Sequence, residues 1–353
     1  MKTSKRRGLC VSLTLLLSLS LLMTSCGKQT EPEQVYLVSA VGFDRAEEGI
    51  RVTVEVPVMG ESKDSESKTM VLTETGKSIT DALRTMGAGL SRSLLFSHCA
   101  LAVLGETLSK EQLQAVFDFA GDGDSLPLAA GVVTAADAGA LLEGGSLSAP
   151  AVGYEIPEIL EQERYKTGVD IRCSVYELRA VSSPDSPIPL PRFEALGKES
   201  VQPLRFAGLD VLRSGAEPFR ISREECVSYA ILSDRFTKTE DTSPVGMVRL
   251  RNIRTELTAQ QVEGGLQFRL TLRMDLLGGS DSDAEQLRRE LCTETEKLFE
   301  RVRATAGADL FSFGERLKRE SPELWETVAS DYGALFQTSS LAVTCEITVA
   351  HLG

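Results

Sequence analysis

Cys26 is the residue whose type and position most clearly indicate a chemical modification. An apolar segment of 15 residues, from Leu9 to Met23, precedes it, and four of the first seven residues are basic. A basic start, a short apolar core and a small-residue end are typical of an export signal, whereas a membrane-spanning helix needs about 20 residues. Cleavage before Cys26 would place this cysteine at the mature N-terminus, where a bacterial lipoprotein carries diacylglycerol. We therefore predict a lipoprotein signal peptide over residues 1–25; the alternative is a plain secretory signal followed by a chance cysteine.

The predicted lipid would hold the chain on the outer face of a membrane. Each buried methylene contributes about 0.8 kcal/mol, and two acyl chains anchor durably where one chain binds only marginally. Residues 26–34 are mostly polar and are predicted to be a lipidated tether. The sequence shows no basic cluster, and a two-chain anchor needs none.

Charge and cysteine content exclude several classes of partner and site. The net charge is −13, and removal of the four cations of the signal takes it to about −17. Such a charge is unfavourable for nucleic acid or anionic lipid as a direct partner. Five cysteines remain in the body, an odd number without C-x-x-C spacing, which indicates neither a disulfide framework nor a zinc site. We expect most of them to be small buried residues: Cys99, Cys173, Cys226, Cys292 and Cys345.

No catalytic, metal or cofactor site is predicted. The two histidines, His98 and His351, argue against histidine-based catalysis and histidine-ligated metal. The acidic loop 118–124 lacks the full EF-hand pattern, and no G-x-S-x-G motif or phosphate-binding loop is present. Trp325 lies at helical spacing from Leu324 and Val328, so core packing is expected. We predict a protein that is not an enzyme, and we assign no ligand-binding residue.

Strands alternate with capped helices in residues 35–200, which predicts a mixed α/β region. Ser78 and Ser109 are predicted to cap two of the helices. Arg92 and His98 are expected to flank a buried strand rather than to form a contact site. Other predicted segments are strands at 35–43, 51–59, 99–104 and 131–134, an acidic turn at 44–49, and helices at 135–142, 158–165 and 169–181.

Residues 201–353 predict a C-terminal α/β domain that begins after a Pro-rich stretch at 183–191 and a linker at 197–203. Two long alternating strands around Gly264-Gly265 predict an antiparallel hairpin. The longest helix is expected at 283–304, and Leu341 to Leu352 is expected to be a final strand. The fold class is therefore α+β, with mixed α/β domains, antiparallel sheets and packed helices.

The order of these segments resembles the Ger(x)C family, the lipoprotein C subunits of spore germinant receptors. The resemblance covers nearly the whole mature chain, and its most specific pieces are Ser91 to Gly105, Leu310 to Trp325 and the closing strand. The sequence departs from the family pattern at 121–124 and at Tyr332, where tryptophan is common. The quoted segments are the lipobox, VSAVGFD, GKSITDALRTMGAGLSRSLLFSHCALAVLGETLS, FAGLDVL and ADLFSFGERLKRESPELWETVASDYGALFQ.

The resemblance implies a non-enzymatic subunit on the outer face of the inner spore membrane. It also implies three mixed α/β domains, two of them within residues 35–200. It implies partnership with a multi-pass A subunit and a multi-pass B subunit, and a role in nutrient-triggered germination. The alternative is a lipid-anchored solute-binding protein of a transporter, which would show two similar lobes of repeated β-α units. An exported lipoprotein enzyme is a third option, for which we find no catalytic constellation.

Overall fold

The computed structural model describes residues 34–58, 68–122, 125–180, 187–197, 200, 202–212, 218–238 and 249–350. These residues form three sheets with helices packed against them, which confirms the mixed α/β fold class. Cys26, the predicted signal peptide and residues 27–33 of the predicted tether lie outside the described residues.

Eight strands form the large sheet, and its centre is parallel. Its central strands β2 (Ala40–Arg45), β6 (Leu101–Gly105) and β7 (Gly131–Ala135) run parallel to one another, and antiparallel pairs extend the sheet on both sides. A separate parallel pair joins β1 (Val35–Leu37) to β5 (Ser93–Leu95). In spatial order the large sheet contains β10 (Phe219–Ile221), β9 (Leu204–Leu212), β8 (Ile188–Ala195), β7 (Gly131–Ala135), β6 (Leu101–Gly105), β2 (Ala40–Arg45), β3 (Ile50–Val58) and β4 (Lys68–Gly76).

Helices cover both faces of the large sheet. Along β6, Leu101 and Val103 enter one apolar cluster and Ala102 and Leu104 enter the other, because successive side chains of a strand point to opposite faces. The predicted caps are confirmed: the hydroxyls of Ser78 and Ser109 accept from the backbone N–H three residues on. The helices are α1 (Ile79–Ala88), α2 (Lys110–Gly121), α3 (Ala138–Glu143), α4 (Val152–Thr167), α5 (Val175–Ala180) and α6 (Cys226–Leu232).

The C-terminal part contains a three-stranded sheet covered on one face by a long helix. β11 (Arg249–Val262) and β12 (Gly265–Leu277) form the predicted hairpin, and β13 (Ser340–Ala350) pairs parallel with β12. Helix α7 (Asp281–Thr305) begins with a capping box between Ser280 and Asp283. The shorter helices are α8 (Phe313–Glu320), α9 (Pro322–Val328) and α10 (Tyr332–Gln337).

The structure corrects several local predictions. Asp44 does not lie in an acidic turn; it is a buried residue of strand β2. The predicted strand 35–43 is two strands, and the helix predicted over 169–181 is limited to α5. The Pro-rich stretch contributes to β8, which pairs with β7 at one position and with β9 along its length, because proline lacks the N–H that a fully bonded central strand needs.

The predicted linker at 197–203 connects β8 to β9 within the same sheet. The large sheet therefore includes strands from both sides of residue 200, and Leu204–Leu212 continues a sheet that begins in the N-terminal region.

Tyr332 stabilises the loop before α8 through Asp309. Its hydroxyl donates to Asp309 Oδ2 at 2.7 Å, and the same carboxylate accepts from the N–H groups of Phe311 and Gly314 at 3.0 and 2.8 Å. The ring also packs on Trp325, with 5.3 Å between ring centroids. Burial, with the neighbouring Asp309 charge, raises the pKa of Tyr332.

We expect Tyr332→Phe to lower the free energy of unfolding by about 1.5–3 kcal/mol, because it removes a hydrogen bond to a charged group. Urea unfolding followed by Trp325 fluorescence measures this loss. Because the folded-state pKa is raised, the tyrosine's contribution is complete below the unfolded pKa of about 10 and is lost as pH rises further. If the difference in unfolding free energy between wild type and Tyr332→Phe does not decrease above about pH 10, the hydrogen bond assigned to the Tyr332 hydroxyl would be contradicted.

Candidate functional site

The segment from Ser91 to His98 lies at the surface between two depressions. Its middle forms β5, and Cys99 N–H donates to Phe96 O at 2.8 Å as the chain turns toward β6. Arg92 and His98 are exposed on either side of this short strand. The predicted position of His98 next to a buried strand agrees with the structure, since β6 begins at Leu101.

The first depression is a groove of about 650 Å³ between α1 and α2, which we call the tether-side groove because Gln34 lies at its edge. Its apolar lining includes Leu83, Leu94, Phe96 and Phe119. The groove combines an apolar floor with a polar rim, which includes Arg84, Ser91 and Arg92.

The rim of the tether-side groove is fixed by contacts with β1. The Arg92 guanidinium lies over the Tyr36 ring, 5.4 Å from its centroid, a geometry in which a cation is attracted to the ring face. The Tyr36 and Ser91 hydroxyls are 3.3 Å apart. These contacts connect the segment 91–96 to the start of the described chain.

The second depression is a cavity of about 870 Å³ at the amino-terminal ends of β6 and β7, lined in part by His98, Leu101 and Leu160. Both arginines that line it are paired with acids of the same cavity. Arg172 lies 2.6 Å from both Asp170 and Glu161, and Arg235 lies 3.0 Å from Glu177.

These ion pairs set the electrostatics of the cavity. Burial raises the pKa of Asp170, but the hydrogen bonds and charge of Arg172 outweigh burial and leave that pKa below its usual value. The carboxylate is therefore held ionised by its arginine. A paired acid of this kind is a poor proton donor or acceptor at neutral pH, so the cavity resembles a closed ionic cluster rather than a catalytic centre.

Two buried carboxylates fix the helices beside this region. Glu55 accepts from the N–H groups of Val152 and Gly153 at the start of α4, each at 2.8 Å, and from the Ser39 hydroxyl at 2.8 Å. Burial outweighs these hydrogen bonds and raises the pKa of Glu55. Anionic side chains at helix N-termini satisfy free N–H groups and interact favourably with the helix dipole.

Asp44 performs the same role for α3. Its two oxygens accept from Ala138 N–H at 2.8 Å and Gly139 N–H at 3.0 Å, and Arg51 lies 3.2 Å away. Sequence reasoning missed both carboxylates. The signal that identifies them is an acidic residue within or at the end of a strongly apolar strand, which is costly unless the charge is satisfied.

A third acid, Asp210 on β9, is also fully buried. It accepts from the Thr134 hydroxyl at 3.0 Å and lies 3.6 Å from Arg192 and 3.5 Å from Arg220. Burial raises the pKa of Asp210. The cluster connects β7, β8, β9 and β10, so its role is to join strands of the sheet.

The described cysteines lack the properties of nucleophiles. All five are free, four are buried and Cys292 is half-buried, which confirms the expectation of small buried residues. Burial raises the pKa of the Cys99, Cys173 and Cys345 thiols to about 12, so thiolate is scarce at neutral pH.

The remaining predicted positions are distributed over the molecule. Asp118 accepts from Gln114 on α2, and two residues of the acidic loop, 123 and 124, lie outside the described residues. Among the described side chains, no group of three or more His, Cys, Asp or Glu is arranged to hold a metal. No helix in the described ranges is long and apolar enough to span a bilayer.

Comparisons with known proteins agree with one another. Residues 28–187 match the family described as spore germination protein N-terminal domain, and residues 221–353 match that described as spore germination B3/GerAC like, C-terminal. The Bacillus subtilis (strain 168) protein YfkR, which is named for spore germination, is 26% identical over 111 residues. That match covers 29% of this chain and 29% of YfkR, so the chain spans less than a third of that relative.

The crystal structure of the GerBC protein has a similar fold, with a TM-score of 0.53 at 12% identity over 88% of this chain and 96% of that one. At this identity the likeness concerns the fold alone. The two matched segments together cover most of the sequence, from residue 28 to residue 353. The chain therefore belongs to the Ger(x)C family of spore germination proteins.

Proposed function

We propose that this chain is the lipid-anchored C subunit of a spore germinant receptor, needed for nutrient-triggered germination together with membrane-embedded A and B subunits. The observation that carries the proposal is the family match beginning at residue 28, and the predicted signal peptide over residues 1–25, followed by Cys26, supports it. The body would then lie on the outer face of the inner spore membrane.

The position of the tether-side groove supports a role in assembly. Gln34 is eight positions after Cys26, and an extended chain spans at most about 3.6 Å per residue. Gln34 therefore lies within about 30 Å of the lipid attachment point. A groove at this end of the body is within reach of a protein embedded in the same membrane.

The chemistry of the described residues supports a non-enzymatic subunit. Glu161, Asp170 and Glu177 of the large cavity are paired with arginines. The buried carboxylates Asp44 and Glu55 bind helix N-termini. These groups hold the fold together. An interaction subunit needs such a framework and no activated nucleophile.

The solute-binding alternative receives less support from the topology. Such a protein would consist of two similar lobes, whereas here an eight-stranded mixed sheet is joined to a three-stranded sheet of different order. Calorimetry of the mature protein with amino acids and sugars separates the two proposals. Micromolar binding of a free nutrient would favour the solute-binding protein.

We expect Cys26→Ala to move the protein from the membrane fraction to the soluble fraction and to weaken the nutrient response, because no acyl chain can then be attached. Fractionation of spores and germination assays measure both effects. Cys10→Ala, within the predicted signal, is the matched control and should remain membrane-bound. A Cys26→Ala protein that stays on the membrane with a full response would contradict the proposed anchor.

A further inference from the structure

The outward face of the β11-β12-β13 sheet carries a cluster of arginines. The opposite face, with Leu270 and Leu272 fully buried, packs under α7. In the strand register, Arg254 lies opposite Arg273 and Arg269 lies opposite Thr258, so these side chains share the outward face. We call this surface the arginine face; its basic residues are Arg249, Arg251, Arg254, Arg269 and Arg273.

Four of these arginines have no counterion among the residues that the structure describes. Within the described part of the chain, no ion pair or hydrogen bond involves the side chains of Arg249, Arg251, Arg254 or Arg269, and all four are exposed. By contrast, most arginines elsewhere in the described ranges are paired, as Arg172 and Arg235 are in the large cavity.

The acids of the arginine face are already engaged. Glu256 and Glu346 both bond Arg273 at 2.8 Å. Asp275 accepts from the Asn252 amide, beside the bulge that interrupts β11. The four unpaired guanidinium groups are therefore the charges that this surface offers to a partner.

The composition of the face favours a lipid headgroup surface over a protein. Apart from Val262 and Leu277 at its two ends, its other outward residues are small or polar and include Thr258, Gln267, Thr271, Ala342 and Thr344. Stable protein interfaces usually have a core of aromatic or apolar side chains, which these positions lack. Several guanidinium groups on one face of a sheet suit a surface of phosphates, to which arginine binds well.

We propose that the arginine face lies against anionic phospholipid headgroups and orients the body on the membrane. This inference depends on the proposed lipid tether, which supplies a high effective concentration, so that weak electrostatic contacts suffice. The net charge of −13 predicts repulsion of the body as a whole from an anionic surface. On the arginine face we expect attraction instead, because β11 and β12 place on one side of the sheet four arginines that have no counterion among the described residues.

The experiment uses the mature lipidated protein in vesicles of phosphatidylcholine, with or without about one third phosphatidylglycerol. A fluorophore is attached at Thr344→Cys on the arginine face, or at Ser282→Cys on α7 as a control; the parent protein reports background labelling, since its described thiols are buried or half-buried. Quenching by acrylamide, which is neutral, measures the exposure of the label.

We expect anionic vesicles to reduce quenching at position 344 by at least about twofold and to leave position 282 unchanged. Salt at about 1 M, which shortens the Debye length to about 3 Å, should restore quenching while the tether holds. The pair R254Q and R269Q should abolish the protection. The matched pair R179Q and R289Q, which removes two exposed arginines elsewhere on the described surface, should retain it.

The possible failures are distinguishable. A protein that does not stay with the vesicles would overturn the lipid tether and this inference with it. Retention with equal quenching in both vesicles would overturn the inference alone. Protection that appears in native spore membranes but not in lipid vesicles would identify a protein as the partner and would also overturn it.

Discussion

Glu55→Ala is expected to lower the free energy of unfolding by about 3–5 kcal/mol. The substitution leaves the N–H groups of Val152 and Gly153 and the Ser39 hydroxyl without their carboxylate acceptor. Each unsatisfied buried polar group costs about 1–3 kcal/mol, and water reaches this fully buried position poorly. The start of α4 would lose the group that anchors it to β3.

Urea unfolding followed by circular dichroism measures this effect. Glu47→Ala, which removes an exposed glutamate from the adjacent turn, is the matched control and should change stability by less than about 0.5 kcal/mol. An unchanged urea midpoint for Glu55→Ala would show that the carboxylate does not hold α4.

Glu55→Gln tests the charge separately from the shape. The amide keeps one acceptor oxygen, so the decrease in the free energy of unfolding should be smaller than for Glu55→Ala. Because burial raises the pKa of Glu55, the glutamate's contribution is complete below the unfolded pKa of about 4.3 and declines as pH rises through the folded value. The stability difference between wild type and Glu55→Gln should therefore be larger at acidic than at neutral pH.

Features that depend on neighbouring residues were predictable from the sequence. The caps at Ser78, Ser109 and Ser280 involve residues three positions apart, and the β11-β12 hairpin turns at Gly264, whose φ of 90° suits glycine. In each case the residues that form the sequence pattern are the same residues that are in contact in the structure.

Features that depend on distant residues were not predictable. Glu55 meets Val152 across 97 residues and Asp44 meets Ala138 across 94, and no local pattern encodes these pairs. The alternation around Glu55 predicted a half-buried strand, but β3 lies inside the sheet between β2 and β4. Helices α3 and α4 then bury the positions that alternation left exposed.

The same distinction between neighbouring and distant residues applies to the candidate functional sites. Cys26 is a prediction from a contiguous motif and lies outside the described residues. The tether-side groove needs α1, α2 and β5 to come together, and the arginine face needs the register of β11 with β12. Along the sequence the arginines alternate with apolar residues and form no basic run, so their clustering depends on the pleat of the sheet.

The five phenylalanines beneath the small sheet form a second determinant of stability. Phe299 on α7 is fully buried and lies 5.8–6.2 Å from its neighbours, measured between ring centroids. The stacked and edge-to-face arrangements are those that aromatic rings prefer. The surrounding rings are Phe268, Phe311, Phe313 and Phe336.

Phe299→Ala is therefore expected to lower the free energy of unfolding by about 3–5 kcal/mol, because it opens a cavity among rings that are held by separate helices and strands. Phe299→Leu should cost less, and Lys297→Ala, on the exposed side of the same helix, is the matched control. Trp325 packs on Tyr332, which contacts Phe336, so its fluorescence reports on this cluster.

The result also tests whether the two sheets unfold together. One apolar cluster includes Val133 of the large sheet and Phe299 beneath the small one, so the chain contains a continuous core between them. We expect Phe299→Ala to shift the circular dichroism and Trp325 transitions to the same lower urea concentration. A shift in the fluorescence transition alone would mean that the small sheet unfolds independently. An unchanged midpoint by both probes would contradict the role of Phe299 as the centre of the cluster.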